Sequence, residues 1–248
     1  MEPPIFYAPA ERISSDQIEL PSSESHHALE VMRLKDGSPV IVIDGLGTAY
    51  KGEIVLGKSK SVQVRVHSVH RNYGEPSIRL TLAAGLSTGY KFDEVVEKGT
   101  ELGVIRFVPV ISEKSKVRIE TAEKARSKTH RLEKVAMAAI KQCRRAYLPE
   151  ISNPTDLKSF MKETDSGALN LIFVPTSNSE SIDRIDINES ANRVTVLVGP
   201  ESGFTPSEVQ HAIDHGYKAV SMGKRILRTE TAGPVSVALV MIRLGELR

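Results

Sequence analysis

Arg228, Glu230 and Glu201 are the side chains of this 248-residue chain whose types and surroundings are best suited to act together. An arginine can bind a phosphate or offset negative charge on a reacting group, and a carboxylate beside it can accept a proton. They belong to two glycine-bearing segments, Gly199-Pro200-Glu201-Ser202-Gly203-Phe204 and Met222-Gly223-Lys224-Arg225-Ile226-Leu227-Arg228-Thr229-Glu230-Thr231-Ala232. Glycines let backbone amides and carbonyls approach a ligand closely. Val174, Leu197, Ile226 and Leu227 can supply apolar walls, so the segments together suit a small-molecule pocket. A plainer reading stands beside this one: the glycines turn the chain at strand ends, Arg228 pairs with Glu230, and Glu230 favours the start of a helix.

Both segments must be carried by a strand-helix-strand unit. Val194-Thr195-Val196-Leu197-Val198 is a continuous apolar or β-branched run, short enough for a strand buried on both faces. Thr205-Pro206-Ser207-Glu208 combines an N-cap hydroxyl, proline at the first helical position and a carboxylate three residues past the cap. That helix is expected to run from Pro206 to about His215, where Gly216 can take the left-handed conformation, and Tyr217-Lys218-Ala219-Val220 resumes as a strand. Loops at the carboxyl ends of parallel strands form the ligand crevice of open α/β sheets, so the turns at 199–203 and 221–223 are expected to face one ligand.

In order and spacing the two segments resemble the G-P-E-G-G-F and L-G-x-R-I-L-R-T-E-T-A pair of the bacterial small-subunit (16S) rRNA uridine-N3 methyltransferases. These belong to the SPOUT class of knotted S-adenosylmethionine (SAM) enzymes. Ser202 stands where that family usually has glycine, and Gly233-Pro234 where it continues with small helix formers. Proline clashes with the carbonyl four residues back, so regular helix is expected from about 231–233 rather than from Thr229. The resemblance extends to His27, Val31, Arg33, Gly37 and Asp44-Gly45, to Lys91, Lys98, Glu101-Leu102-Gly103-Val104, Pro109, Glu113, Ser115 and Lys116, and to the segment ending at Arg144-Arg145.

The resemblance implies an α/β fold, a SPOUT methyltransferase domain with a mostly parallel sheet and a C-terminal trefoil knot over residues 73–248. A PUA-like RNA-binding β-barrel over residues 1–72 would precede it. It implies SAM as cofactor, held by Val174, Pro175, Leu197, Val198, Gly199, Pro200, Glu201, Gly203, Met222, Gly223, Ile226, Leu227, Arg228, Thr231 and Ala232. It implies methyl transfer to N3 of a uridine in small-subunit rRNA, or in the assembled subunit. Uridine N3 is a weakly acidic imide, so Arg228 would offset charge and Glu201 or Glu230 would take the proton. RNA contacts would come from Arg33, Lys91, Arg145 and Arg225, and a homodimer would form through the last helix. Two other readings are weighed against it: a SPOUT enzyme acting on another rRNA or tRNA nucleotide, and a noncatalytic RNA-binding protein.

The rest of the chain agrees with two parts. Short β-rich runs separated by Asp36-Gly37 and Asp44-Gly45 predict a small barrel in the first seventy-odd residues, with one helix over 22–34. Asn72-Tyr73-Gly74-Glu75-Pro76 reads as a boundary. Beyond it, strands at 78–84 and 107–111 flank a helix whose apolar face is Phe92, Val95, Val96, Gly99 and Leu102, with Glu94 and Lys98 paired on its surface. A basic, Ala-rich helix is expected over 120–147, another opening at Pro154, a buried strand at 168–174, and the most mobile stretch at 175–192.

Formal net charge is only +2, so a nucleic-acid partner does not follow from totals and any basic surface must come from clustering. Arg33, Lys35, Lys58, Lys60, Arg65, His67, His70 and Arg71 form one such series of candidate phosphate contacts. The single cysteine, Cys143, excludes an intrachain disulfide and any multi-cysteine metal site, which suits a reducing cytoplasm. No apolar run approaches membrane-spanning length, and Met1-Glu2-Pro3-Pro4 does not open like a secretion leader, so a soluble, cytoplasmic protein without metal is expected.

Overall fold

The structure, a computed structural model, describes residues 2–57, 61–117, 121–176, 179–185 and 191–247. Lys58 and Lys60 lie outside the described residues, as do 177–178 and 186–190 of the stretch expected to be most mobile. Two compact units divide the chain: Met1–Glu75 with Met137–Leu148, and Pro76–Ala136 with Pro149–Arg248. The return of 137–148 to the first unit has no counterpart in the expected division at residue 72.

The first unit contains β1 (Ile5–Tyr7), β2 (Gln17–Glu19), α1 (Ser22–His26), β3 (Pro39–Ile43), β4 (Thr48–Leu56) and β5 (Val62–Arg71). The strands form one mixed sheet in the order β1-β3-β4-β5-β2, with β1 parallel to β3 and the other pairs antiparallel. The two edge strands do not pair, so the sheet is a half-barrel, wrapped around Phe6, Ile18, Val42, Ile54 and Val64. Strand β2 escapes sequence reading because it has a single apolar residue, Ile18, between two polar ones. The expected helix over 22–34 is also shorter and less regular. After α1 the chain widens into a π turn, His27–Val31, in which the Met32 amide reaches back five residues to the His27 carbonyl at 2.9 Å.

Arg145, which the resemblance implies as an RNA contact, lies within this unit's return segment and is buried. Its side chain is 3 % exposed, and both Nε (3.1 Å) and Nη2 (2.7 Å) donate to Glu75 Oε2. Glu75 Oε1 accepts the amides of Ala146 and Tyr147 at 3.0 and 2.9 Å. The pair therefore closes the chain at 72–75 onto the chain at 145–147 instead of facing a phosphate.

The second unit holds β6 (Arg79–Gly85), α2 (Lys91–Glu101), β7 (Arg106–Ile111), α3 (Ala122–Cys143, its residues to 136), β8 (Glu150–Ile151), β9 (Thr155–Asp156), α4 (Leu157–Lys162), β10 (Leu169–Phe173), β11 (Glu180–Ser181), β12 (Arg193–Val198), α5 (Pro206–Asp214), β13 (Lys218–Ser221) and α6 (Thr229–Arg243). The sheet runs β11-β13-β10-β12-β6-β7-β8 with β9 on β7, and every pairing is parallel. Parallel strands covered on both faces read as near-continuous apolar runs, which β10 and β12 do apart from Asn170 and, in β12, Arg193 and Thr195. The α5 boundaries follow the sequence reading, and Gly216 takes φ +86 after the helix.

Three local expectations are corrected. Lys98 pairs with Glu97 and Glu101, both at 3.0 Å, and not with Glu94. Helix α4 starts at Leu157 instead of Pro154: Thr155 and Asp156 pair with Val110 and Ile111 of β7, and Asp156 Oδ1 then caps the helix by accepting the Ser159 amide at 2.9 Å. Helix α6 starts at Thr229 despite Pro234. Thr229 is buried with its hydroxyl donating to the Gly199 carbonyl at 3.2 Å, and the Thr231 and Ala232 amides close the first turn on the Arg228 carbonyl. Proline removes one hydrogen bond from the helix, whereas the anchored first turn keeps several contacts.

Replacing Glu75 with Gln leaves the Arg145 guanidinium buried without its carboxylate. Urea denaturation is expected to register a loss of about 3 to 5 kcal/mol, whereas Glu53→Gln, which removes the exposed partner of Arg65, is expected to cost less than about 1 kcal/mol.

Candidate active site

Four adjacent strands deliver their carboxyl ends to one edge of the sheet. Ala84 of β6 lies opposite Val198 of β12, Val198 opposite Phe173 of β10, and Phe173 opposite Val220 of β13. The chain that leaves β10, β12 and β13 there encloses a cavity of about 580 Å³, within the size range of small-molecule sites. Its floor is apolar, formed by Phe173, Val174, Val198, Phe204, Ala219 and Leu227. Both glycine turns contribute to its wall, as the sequence leads one to expect.

Each turn is held by contacts that only certain residues allow. A Cβ on Gly85 would lie 2.1 Å from the Pro200 nitrogen, so the turn after β12 folds directly over the end of β6. The Gly203 amide closes that turn on the Pro200 carbonyl at 2.8 Å, with Gly203 at φ +68. Ser202 needs no left-handed angle; its hydroxyl instead donates to the Lys114 carbonyl at 2.7 Å. The α5 capping box does a second task. Glu208, 4 % exposed, accepts the Thr205 amide on Oε2 at 2.7 Å and the Glu113 amide on Oε1 at 2.8 Å. One carboxylate thus caps a helix and ties the loop after β7 to the loop after β12. In the second turn Gly223 takes φ +114, and its amide donates to the Ser221 hydroxyl at 3.2 Å.

Charged side chains gather beside the first turn. Lys91 Nζ donates to Glu201 Oε1 at 2.6 Å. That bond is the main reason the Lys91 ammonium is held above its usual pKa, with the Glu230 carboxylate adding to the effect and Arg228 opposing it. Lys91, Glu201, Arg228 and Glu230 therefore share one local field. No ion pair joins Arg228 to Glu230. Glu230 lies in the first turn of α6, and its Oε2 is buried without a hydrogen-bond partner.

Of the residues expected to hold a cofactor, Val174, Pro175, Val198, Gly199, Pro200, Glu201, Gly203, Met222, Gly223, Ile226, Leu227 and Ala232 line the cavity. Leu197 does not; it is fully buried in the core below. Arg228 and Thr231 are exposed and are absent from the wall. Sequence reading missed Phe173, Thr176, Phe204, Val209, Gln210 and Ile213. Val209 and Ile213 had a signal, being four residues apart on one face of α5. Among the residues expected to touch RNA, Arg225 is exposed on the cavity wall and Lys91 is engaged by Glu201. In the first unit Arg33 is exposed at φ 54, Lys35 and Arg71 are exposed, and Arg65 and His67 face Glu53. Among the described residues no group of three His, Cys, Asp or Glu side chains could hold a metal ion, and no helix is long and apolar enough to cross a membrane.

The family model of an RNA methyltransferase domain matches residues 74–241. The chain belongs to that family. A model of an RNA methyltransferase PUA domain matches residues 20–66, within the half-barrel unit. Among curated relatives, ribosomal RNA small subunit methyltransferase E of Bacillus subtilis is 27% identical over 91% of this chain and 90% of its own length. The protein of the same name from Aquifex aeolicus is 34% identical over 67% of this chain and 69% of its own length. Two solved structures are similar throughout. A methyltransferase of Legionella pneumophila in complex with the bound cofactor SAM is 30% identical with a TM-score of 0.86, covering 98% of both chains. Ribosomal RNA small subunit methyltransferase E of Neisseria gonorrhoeae, bound to S-adenosyl methionine, is 28% identical with a TM-score of 0.86 and the same coverage.

Changing Gly85 to Ala forces the 199–200 turn off the end of β6. Amide hydrogen exchange in 199–204 is expected to rise at least about tenfold and the thermal midpoint to fall, while exchange in β4 and β5 of the other unit stays at the wild-type rate.

Proposed function

We propose that this chain transfers a methyl group from SAM to N3 of a uridine in small-subunit ribosomal RNA. The observation that carries the reading is the cavity at the strand ends, where two glycine turns and an apolar floor meet beside a group of charged side chains. The residues present fit an adenosine-bearing cofactor: backbone at Gly203 and Gly223 faces open space that no Cβ narrows, Gly199 is packed against Gly203 and Phe204 to hold the turn, and Val174, Ile226 and Leu227 offer apolar contact. The resemblance of the whole chain to small-subunit rRNA methyltransferases, one of them solved with bound S-adenosyl methionine, and to a SAM-bound methyltransferase of Legionella pneumophila supports the same choice.

The cofactor supplies an activated methyl on a sulfonium, so the protein's part is to align the acceptor and handle its proton. Arg228, exposed beside Lys91 and Glu201, meets the substrate and offsets the negative charge of a deprotonated imide. Glu201 already accepts from Lys91, while Glu230 keeps one oxygen without a partner; Glu230 is therefore the better placed of the two to receive the proton. Arg225 on the cavity wall and Arg33 on the half-barrel take phosphates.

The same reading assigns RNA gripping to the half-barrel, catalysis to the second unit, a C-terminal trefoil knot, a homodimer formed through α6, and a place in the cytoplasm. Helix α6 supports the dimer by leaving Ile242 57% exposed near its end.

Calorimetry is expected to give one SAM site per chain. Arg228→Ala is expected to lower kcat by roughly 10²–10³-fold with SAM affinity within about threefold of wild type. Mass mapping of ribosomal subunits from a deletion strain is expected to show one uridine losing a methyl at N3; a full complement of methylated uridines in that strain contradicts the reading.

A further inference from the structure

Tyr90 is 73% exposed, unlike the phenylalanines of the same unit, among which Phe92 and Phe107 are wholly buried. In a chain with six tyrosines, six phenylalanines and no tryptophan, a large aromatic left in water beside a site needs a physical account. Tyr90 immediately precedes Lys91, whose ammonium reaches Glu201 on the cavity wall. Its ring is also braced. The Arg131 guanidinium carbon lies 4.9 Å from the ring centroid, and Arg131 Nη2 is fixed by Asp93 Oδ1 at 2.8 Å. One face of the ring carries the guanidinium, which leaves the remainder of that exposure to a second partner.

The charges around the ring favour an anion. Lys128 stands close enough to Arg131 for the two cations to disfavour each other, and burial together with Arg131 pushes the Lys128 ammonium below its usual pKa, with Asp93 opposing. Two cations thus share a single carboxylate, so a phosphate arriving beside them relieves the repulsion. An aromatic face with a stacked arginine and a spare positive charge suits a nucleotide: every base has a π face, and single-stranded RNA is read by stacking on such platforms.

We propose that Tyr90 is the platform on which an unpaired base of the RNA stacks next to the reacting nucleotide, with Arg131 fixing the ring and Lys128 and Arg131 receiving the adjoining phosphate. This rests on the reading of the chain as an RNA methyltransferase and adds to it a substrate-positioning residue. A positioning role of this kind acts on RNA affinity and KM, and leaves both the cavity and the methyl transfer step alone.

The test is fluorescence anisotropy with labelled octauridylate, alongside methylation of small ribosomal subunits and SAM calorimetry on the same preparations. Tyr90→Leu is expected to weaken octauridylate binding and raise KM by about tenfold, with kcat and SAM affinity unchanged. Tyr90→Phe, which keeps the ring, is expected to match wild type within about twofold, and Lys128→Gln to lower the slope of log affinity against log salt by about 0.7. Unchanged octauridylate affinity and KM in Tyr90→Leu overturn the proposal, as does an equal loss in Tyr90→Phe. A fall in SAM affinity matching the loss of RNA binding assigns Tyr90 a structural role and also overturns it. If the wild-type protein binds octauridylate through Tyr90 but neither binds SAM nor methylates subunits, the platform stands and the enzymatic reading falls.

Discussion

The site depends on one close approach: the backbone of Gly85 at the end of β6 lies against Pro200, nearer than any side chain at position 85 would permit. Because β6 and β12 run parallel with Ala84 opposite Val198, the chain leaving β12 has only the end of its neighbour to fold over. Gly199 and Pro200 take that path. Glu201 and Ser202 then reach the chain that follows β6 and β7, through Lys91 and Lys114, and the cavity opens at the ends of β10, β12 and β13. The same turn presents the Gly199 carbonyl to the Thr229 hydroxyl, so the first turn of α6 is anchored by the loop it adjoins. Strand pairing, turn and final helix are in this way parts of one arrangement.

The cavity separates two environments that do different work. Its floor is built from strand ends and the α5 face, apolar and fixed by the parallel sheet. Its edge carries Glu201 and Arg225, with Lys91 in contact and Arg228 and Glu230 close enough to act on Lys91 electrostatically. Three cations, Lys91, Arg225 and Arg228, stand against two carboxylates, Glu201 and Glu230, so the edge carries only a small positive excess. Selectivity there must come from position. The buried Glu208 carboxylate serves that end from below, because it accepts amides from two loops at once and keeps the 113–116 and 205–208 segments in register.

Much of this was legible where local chemistry decides the structure. Thr205, Pro206 and Glu208 announce α5 through capping alone, and Gly216 marks its end; both are short-range effects that the surroundings reinforce. The parallel sheet followed from apolar runs alternating with amphipathic helices. The readings that failed were those settled at long range. Pro234 argues locally against helix at Thr229, yet a hydrogen bond to Gly199, thirty residues away in the chain, fixes the helix start. Arg145 looks like a surface cation in a basic helix, yet Glu75 buries it. Gly85 carries no local signal at all, since its need for a missing side chain exists only once Pro200 is folded over it. Leu197 and Val198 show the limit within a single strand: both are apolar and adjacent, and alternation sends one into the core and the other to the cavity wall.

The most direct test of the central claim, that the turns near positions 200 and 223 enclose one binding site, is an NMR titration of the labelled protein with SAM. The account predicts that the amide resonances of Gly199, Gly203 and Gly223 shift together and saturably, with a single Kd. Shifts confined to one turn, or perturbations that leave all three glycines unmoved, would contradict it.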